Sequence, residues 1–373
     1  MVTVHSPGRV ARRPLILLFL LALSFSRALP AASQTPPQFD DIAARAAAAR
    51  DKPDIPLAIQ LYNQAEALNP DWKEGWWYLG ILQYSANQYA NAADAFSHLL
   101  RLAPTAVPAM ALRGLCEFET GAYDDSLRDI EQAMAHGATS DSRNEQIIRF
   151  HLAQLLTHAG RFQDALEQYR FFATKHIDAP DLMIGISLAG MRVPSFPKDV
   201  SSEKRPIFQA AGEAGFAFLS GDRDKADDLF TQLFSRYPST PNLHFFYGML
   251  LFAQRPELAV EQFRRELLIN PNNDEANALF AYTLVLQGQF EQALEPARRA
   301  YTAAPDMELA QITFGRVLAE TGDSGRAAEL LQQVIEHDPK NVEAHLGLVS
   351  VYSRTGDRER LADEREICRD LAR

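Results

Sequence analysis

Two apolar helical runs, parted by a short polar turn and closed by a proline, make up residues 76–104, "WWYLGILQYSANQYANAADAFSHLLRLAP". A seam of small residues at Gly80, Ala92 and Ala93 lets the two runs approach closely as antiparallel helices, since larger side chains would push the axes apart. The same order returns in "FAYTLVLQGQFEQALEPARRAYTAAP", ending at Pro305, and in "FGRVLAETGDSGRAAELLQQVIEHDP", ending at Pro339. Prolines that end a helix fall at Pro70, Pro104, Pro238, Pro271, Pro305 and Pro339, mostly 33 or 34 residues apart. Twelve residues before each stands an alanine: Ala58, Ala92, Ala226, Ala259, Ala293 and Ala327. Four further on comes a core position of the second helix, namely Tyr62, Phe96, Phe230, Phe263, Ala297 and Leu331. Turn glycines recur between helices at Gly121, Gly160, Gly221, Gly288, Gly322 and Gly356. One such hairpin cannot cover its own apolar face, so stacked neighbours must do it. The pattern predicts an all-α solenoid of about nine stacked helix pairs.

With this period, Trp76-x2-Leu79-Gly80, Ala92-x3-Phe96 and Pro104 resemble the tetratricopeptide (TPR) repeat, although the aromatic expected three places after the glycine is displaced by one, to Tyr84. The resemblance covers most of the chain and implies a right-handed superhelix of antiparallel helix pairs. Repeats are expected near 39–72, 73–106, 107–140 and 146–179, then 207–240, 241–273, 274–307, 308–341 and a final cap at 342–373. The third is degenerate, with Ser126 in the alanine place, and Pro296 is expected to kink its helix. "RERLADEREICRDLAR" is charged on most faces, as a solvent-facing cap should be. The period breaks at 181–206, where an apolar run from Leu182 to Met191 predicts a helix capping the front array. Pro194, Pro197 and Pro206 then predict a loop. The expected organisation is an N-terminal array at 39–180, a capping helix and Pro-rich linker at 181–206, and a C-terminal array at 207–373. An insertion on one continuous superhelix is the alternative.

The first 33 residues are of another kind. Arg9, Arg12 and Arg13 precede the apolar run "PLILLFLLALSF", and small residues follow, the order of a secretory signal peptide. Cleavage near Ser33 and a periplasmic or extracellular destination of a bacterial type are expected; an uncleaved N-terminal anchor is the alternative. Arg12-Arg13 is a pair of the kind twin-arginine export uses, but Pro14 and the missing flanking residues favour ordinary secretion. The rest of the chain holds no run of the roughly 18 apolar residues that a span requires.

The formal charge is −11, and residues 1–33 carry Arg9, Arg12, Arg13 and Arg27 but no acid, so the mature chain is more acidic still. Such a chain repels phosphate backbones, which argues against nucleic acid as a partner. Two cysteines, Cys116 and Cys368, make no disulfide framework and read as small packed residues. The nine histidines show no metal-binding spacing, and His151 and His158 stand about 10 Å apart along one helix, too far for one ion. "GISLAG" is not the nucleophile elbow G-x-S-x-G, and "GDSGRAAE" lacks the Gly-Lys-Ser/Thr of a phosphate loop. Neither an enzyme, a cofactor nor a metal is expected.

The resemblance implies that the first helix of each pair lines a concave groove, at roughly the second, fifth, ninth and twelfth places of the repeat. Carried onto this chain, those places hold Trp77, Ile81 and Tyr84, then Leu115 and Phe118, then Phe150. Phe208 and Phe218 follow, then Phe245, Met249 and Phe252, and last Tyr282. Basic residues come only at Arg316 and Arg354, so a clamp for an acidic peptide terminus is not implied. Two readings stay open: a groove for an apolar or amphipathic segment of a protein partner, or rings buried by the winding or by the 181–206 segment. The expected function is a non-enzymatic adaptor of the cell envelope. The alternatives are a self-associating structural part of an envelope or secretion assembly, and an accessory to an enzyme.

Overall fold

The computed structural model describes residues 37–138 and 142–373. The expected signal segment lies outside them, so its cleavage and the destination of the chain rest on sequence alone. Among the described residues there are nineteen α-helices, one 3-10 turn and no strand. By packing, the chain forms two compact units that divide after Tyr169.

The first unit stacks α1 (Pro37–Asp51) on α2 (Ile55–Leu68), α3 (Lys73–Ser85) on α4 (Tyr89–Leu102), and α5 (Val107–Thr120) on α6 (Tyr123–Ala135). Helix α7 (Ser142–His158) follows, and α8 (Phe162–Thr174) runs across the division. The second unit holds α9 (Pro180–Gly190), the 3-10 turn Pro197–Asp199, and α10 (Arg205–Leu219) with α11 (Arg223–Arg236). Its remaining pairs are α12 (Leu243–Leu251) with α13 (Pro256–Ile269), α14 (Asp274–Leu286) with α15 (Phe290–Ala303), α16 (Glu308–Thr321) with α17 (Ser324–His337), and α18 (Val342–Thr355) with α19 (Arg358–Leu371).

The repeated small and large residues form the seam of each pair. Ala58, Ala92, Ala226, Ala259, Ala293 and Ala327 are all fully buried, as are Phe96, Phe230, Phe263 and Leu331. Where the first helix carries Gly80, a Cβ would lie 2.6 Å from the Phe96 ring of the second, and Gly248 meets Phe263 in the same way. Where the first helix instead carries Ala281, the second answers with Ala297, and both are fully buried. Volume is traded across the seam, as close packing demands. In the degenerate third repeat Ser126 is buried at the alanine place, and its Oγ donates to the Gly114 carbonyl at 2.7 Å.

The turn glycines hold left-handed backbone, with φ +94° at Gly221, +114° at Gly322 and +76° at Gly356. Each is followed by an aspartate that caps the next helix. Asp222, Asp323 and Asp357 accept from the amides of Lys225, Arg326 and Arg360. Helix α15 runs from Phe290 to Ala303 with Pro296 buried inside it. Helix α19 buries no residue, as expected of a cap, and Cys368 on it is half-exposed where a packed residue was expected.

Helix α9 belongs to the second unit. It is buried from Leu182 to Gly190 and packs on α10 in the second unit. An apolar helix must be covered on every side, and glycines provide the approach. A Cβ on Gly212 of α10 would lie 1.8 Å from the Met183 carbonyl oxygen, and one on Gly190 would lie 2.2 Å from the Phe246 ring.

Candidate functional site

In the second unit the first helices are neighbours in a row, with α12 against α10, α16 against α14, and α18 against α16. Met249, Phe252 and Tyr282 on this row are half-buried. The rings of Phe252 and Tyr282 lie 5.9 Å apart, and beyond them Arg316 donates to Glu343. Burial, with the Glu343 charge behind it, holds the Tyr282 hydroxyl above its ordinary pKa, while Arg316 pulls the other way. Farther along, Arg354 pairs with Glu320 at 3.7 Å. Both arginines that the register placed near the end of the row are thus matched by glutamates.

The twelve expected positions divide by depth, with Leu115 among the buried ones. Tyr84, Phe150, Met249, Phe252 and Tyr282 are half-buried. Trp77, Ile81, Phe118, Phe208 and Phe218 are buried, and Phe245 is fully so. Trp77 packs against Phe96 with ring centres 5.9 Å apart, and Phe245 against Phe263 at 6.1 Å. These two rings fill the seam between the helices of their own pairs. In the first unit Phe118 meets His151 edge-on at 4.9 Å, and Tyr84 meets Tyr89 at 5.5 Å.

Sequence reasoning missed Arg192, which lies in the loop after α9 outside any period. Its Nε donates to Glu275 Oε2 at 2.7 Å, and its guanidinium carbon stands 5.2 Å from the centre of the Phe245 ring. Glu275 occupies the second place of its repeat, so the register could have found it. The loop therefore lies over the row at α12 and α14 in the second unit, part of what the burial alternative anticipated.

Groups capable of chemistry are engaged structurally. Ser187 of "GISLAG" is fully buried and donates to the Ile184 carbonyl at 2.8 Å. His151 lies 2.8 Å from the Ile147 carbonyl through Nδ1, and burial lowers its pKa. Asp227 takes both Nη atoms of Arg255 at 2.6 Å and the Tyr247 hydroxyl, and the Arg255 hydrogen bonds hold its carboxyl below the usual range. Among the described residues no group of three His, Cys, Asp or Glu could hold a metal ion, and no helix is long and apolar enough to cross a membrane.

An open cleft of about 600 Å³ lies against α10 and α11. It is lined by Met183 and Phe216 together with His176, Asp178, Glu213 and Lys225, without a single charge sign to select a ligand.

Residues 43–107, 86–142 and 318–360 match models described as tetratricopeptide repeat. No curated protein matches the sequence. Similar solved structures include YrrB, a TPR protein with an unusual peptide-binding site, at 19% identity and a TM-score of 0.39, covering 44% of this chain and 84% of that one. MamA is 16% identical over 44% of this chain and 91% of its own, with a TM-score of 0.39. A tetratricopeptide repeat protein from Parabacteroides merdae is 14% identical over 75% of this chain and 98% of its own, with a TM-score of 0.33.

Proposed function

Since the chain is a tetratricopeptide-repeat protein, a fold of protein–protein interaction scaffolds, we propose that it is a non-enzymatic adaptor that grips an apolar or amphipathic partner segment along the row of first helices. One observation carries this reading. Phe252 and Tyr282 form a half-buried aromatic pair on adjacent repeats, flanked by the Arg316–Glu343 ion pair. Aromatic rings that are rigid, amphipathic and only partly covered are the side chains from which interface hot spots are built. In the first unit Tyr84 and Phe150 are the corresponding half-buried rings.

The basic, apolar and small-residue order of the first 33 residues supports export, with the mature chain acting in the periplasm or outside the cell. Capture of envelope proteins by the full chain, read by mass spectrometry, tests the reading against the double variant Phe252→Ser/Tyr282→Ser. The variant is expected to lose its specific partner while keeping its far-ultraviolet helical signal. Unchanged capture by a helical variant would discard the face.

A further inference from the structure

The loop after α9 lays one of this chain's own arginines on the row of first helices. Arg192 donates through Nε to Glu275 Oε2 at 2.7 Å, its Nη2 stands 3.5 Å from Met249 Sδ, and its guanidinium lies over the Phe245 ring. Next to it, Asn242 Nδ2 donates to the Met191 carbonyl at 2.9 Å. Asn242, Phe245 and Met249 hold the second, fifth and ninth places of one repeat, and Glu275 the second place of the next. These are the places where the repeat register sets a partner. The Arg192 side chain is only 12% exposed.

A carboxylate, a polarizable sulfur and a ring face together suit a planar guanidinium better than the compact, strongly hydrated ammonium of lysine. The present occupant fits under constraint, because Arg192 holds φ +58°, a left-handed backbone that residues with side chains rarely adopt.

We propose that this seat is an arginine-binding subsite, and that an arginine-bearing extended segment of a protein partner docks there by displacing Arg192. The proposal rests on the reading of the first-helix row as the partner face and adds the chemistry of what it takes. A partner arginine on unstrained backbone makes the same contacts without the left-handed residue. While Arg192 is seated, only the fraction of molecules with an open seat is competent, and apparent affinity falls by that fraction.

The probe is the peptide acetyl-Gly-Met-Arg-Val-Pro-amide, the sequence of residues 190–194, titrated into the full chain by calorimetry. Arg192→Gly empties the seat and accepts the positive φ without strain. It is expected to bind the peptide at least tenfold more tightly than the unaltered chain. Replacing the peptide arginine by alanine, or adding Glu275→Ala to the protein, is expected to abolish the gain. Arg192→Asn, which also tolerates left-handed backbone, repeats the test should the glycine variant lose helicity. No gain in either variant, or a gain that survives loss of the peptide arginine, overturns the proposal. If Phe252→Ser/Tyr282→Ser loses its partner while Arg192→Gly gains no peptide affinity, the arginine seat is wrong and the partner face stands. If the peptide gain appears while capture is unchanged, the seat stands and the aromatic face falls.

Discussion

Glu66 on α2 is only 3% exposed, and neither carboxyl oxygen has a hydrogen-bond partner. It lies where a Cβ on Gly75 of α3 would be 2.0 Å from Oε1, so the carboxyl is enclosed by the next pair. Burial pushes its pKa from 4.5 up to about 9. The folded chain therefore binds this proton more tightly than the unfolded one. Its contribution to stability is whole below pH 4.5 and drains away as pH rises towards 9, by about 1.4 kcal/mol per pH unit in that window. Glu66→Gln is expected to flatten that slope, leaving the denaturant midpoint little changed near pH 5 and raised at pH 8. An unaltered slope would contradict the assignment. Glycines give a second contrast at this scale. Gly212→Ala drives a Cβ into the Met183 backbone and is expected to lower the melting temperature. Gly325→Ala meets nothing within 4 Å and is expected to be neutral or stabilising by up to about 1 kcal/mol. The alanine and phenylalanine seam was legible in the sequence as fixed intervals. The burial of Glu66, Trp77 and Phe245 was not, because periodicity names the face a residue occupies and leaves its depth to the approach of the neighbouring helix.

Among the helices, most boundaries were written locally. Gly-Asp at 221–222, 322–323 and 356–357 ends one helix in left-handed backbone and caps the next, and both halves of that device are visible in the sequence. Helix α12 is different. Its own cap residue Asn242 makes no side-chain capping bond, and the amides of Asn242 and Phe245 donate instead to Glu266 of α13, at 2.8 and 3.2 Å. Glu266 is fully buried there. Glu266→Ala strands those donors and is expected to cost about 1–3 kcal/mol. Amide exchange at 242–251 is expected to quicken ahead of the rest of its unit, and uniform protection would contradict the capping role. Nothing around Asn242 announces a cap supplied by another helix, so sequence alone could not assign it. For the same reason α9 was legible as a helix while its partner was not: an apolar run asks for cover, and only Gly212, Gly190 and Phe246 together show what covers it.

Among the described residues, the repeat period places nine helix pairs close to where the structure has them, since each hairpin repeats one solution to covering an apolar face. The partner face was legible only as a register. The structure sorts that register by depth, leaving Tyr84, Phe150, Met249, Phe252 and Tyr282 half-buried and Arg192 seated against α12 and α14. The proposed function stands or falls on binding belonging to the first helices and not to the second. Site-specific photo-crosslinking in cells separates the two, with a benzophenone side chain at Tyr282 on α14 or at exposed Glu336 on α17. A discrete adduct is expected from position 282 and none from 336. Adducts from 336 alone, or equally from both, would contradict a first-helix partner face.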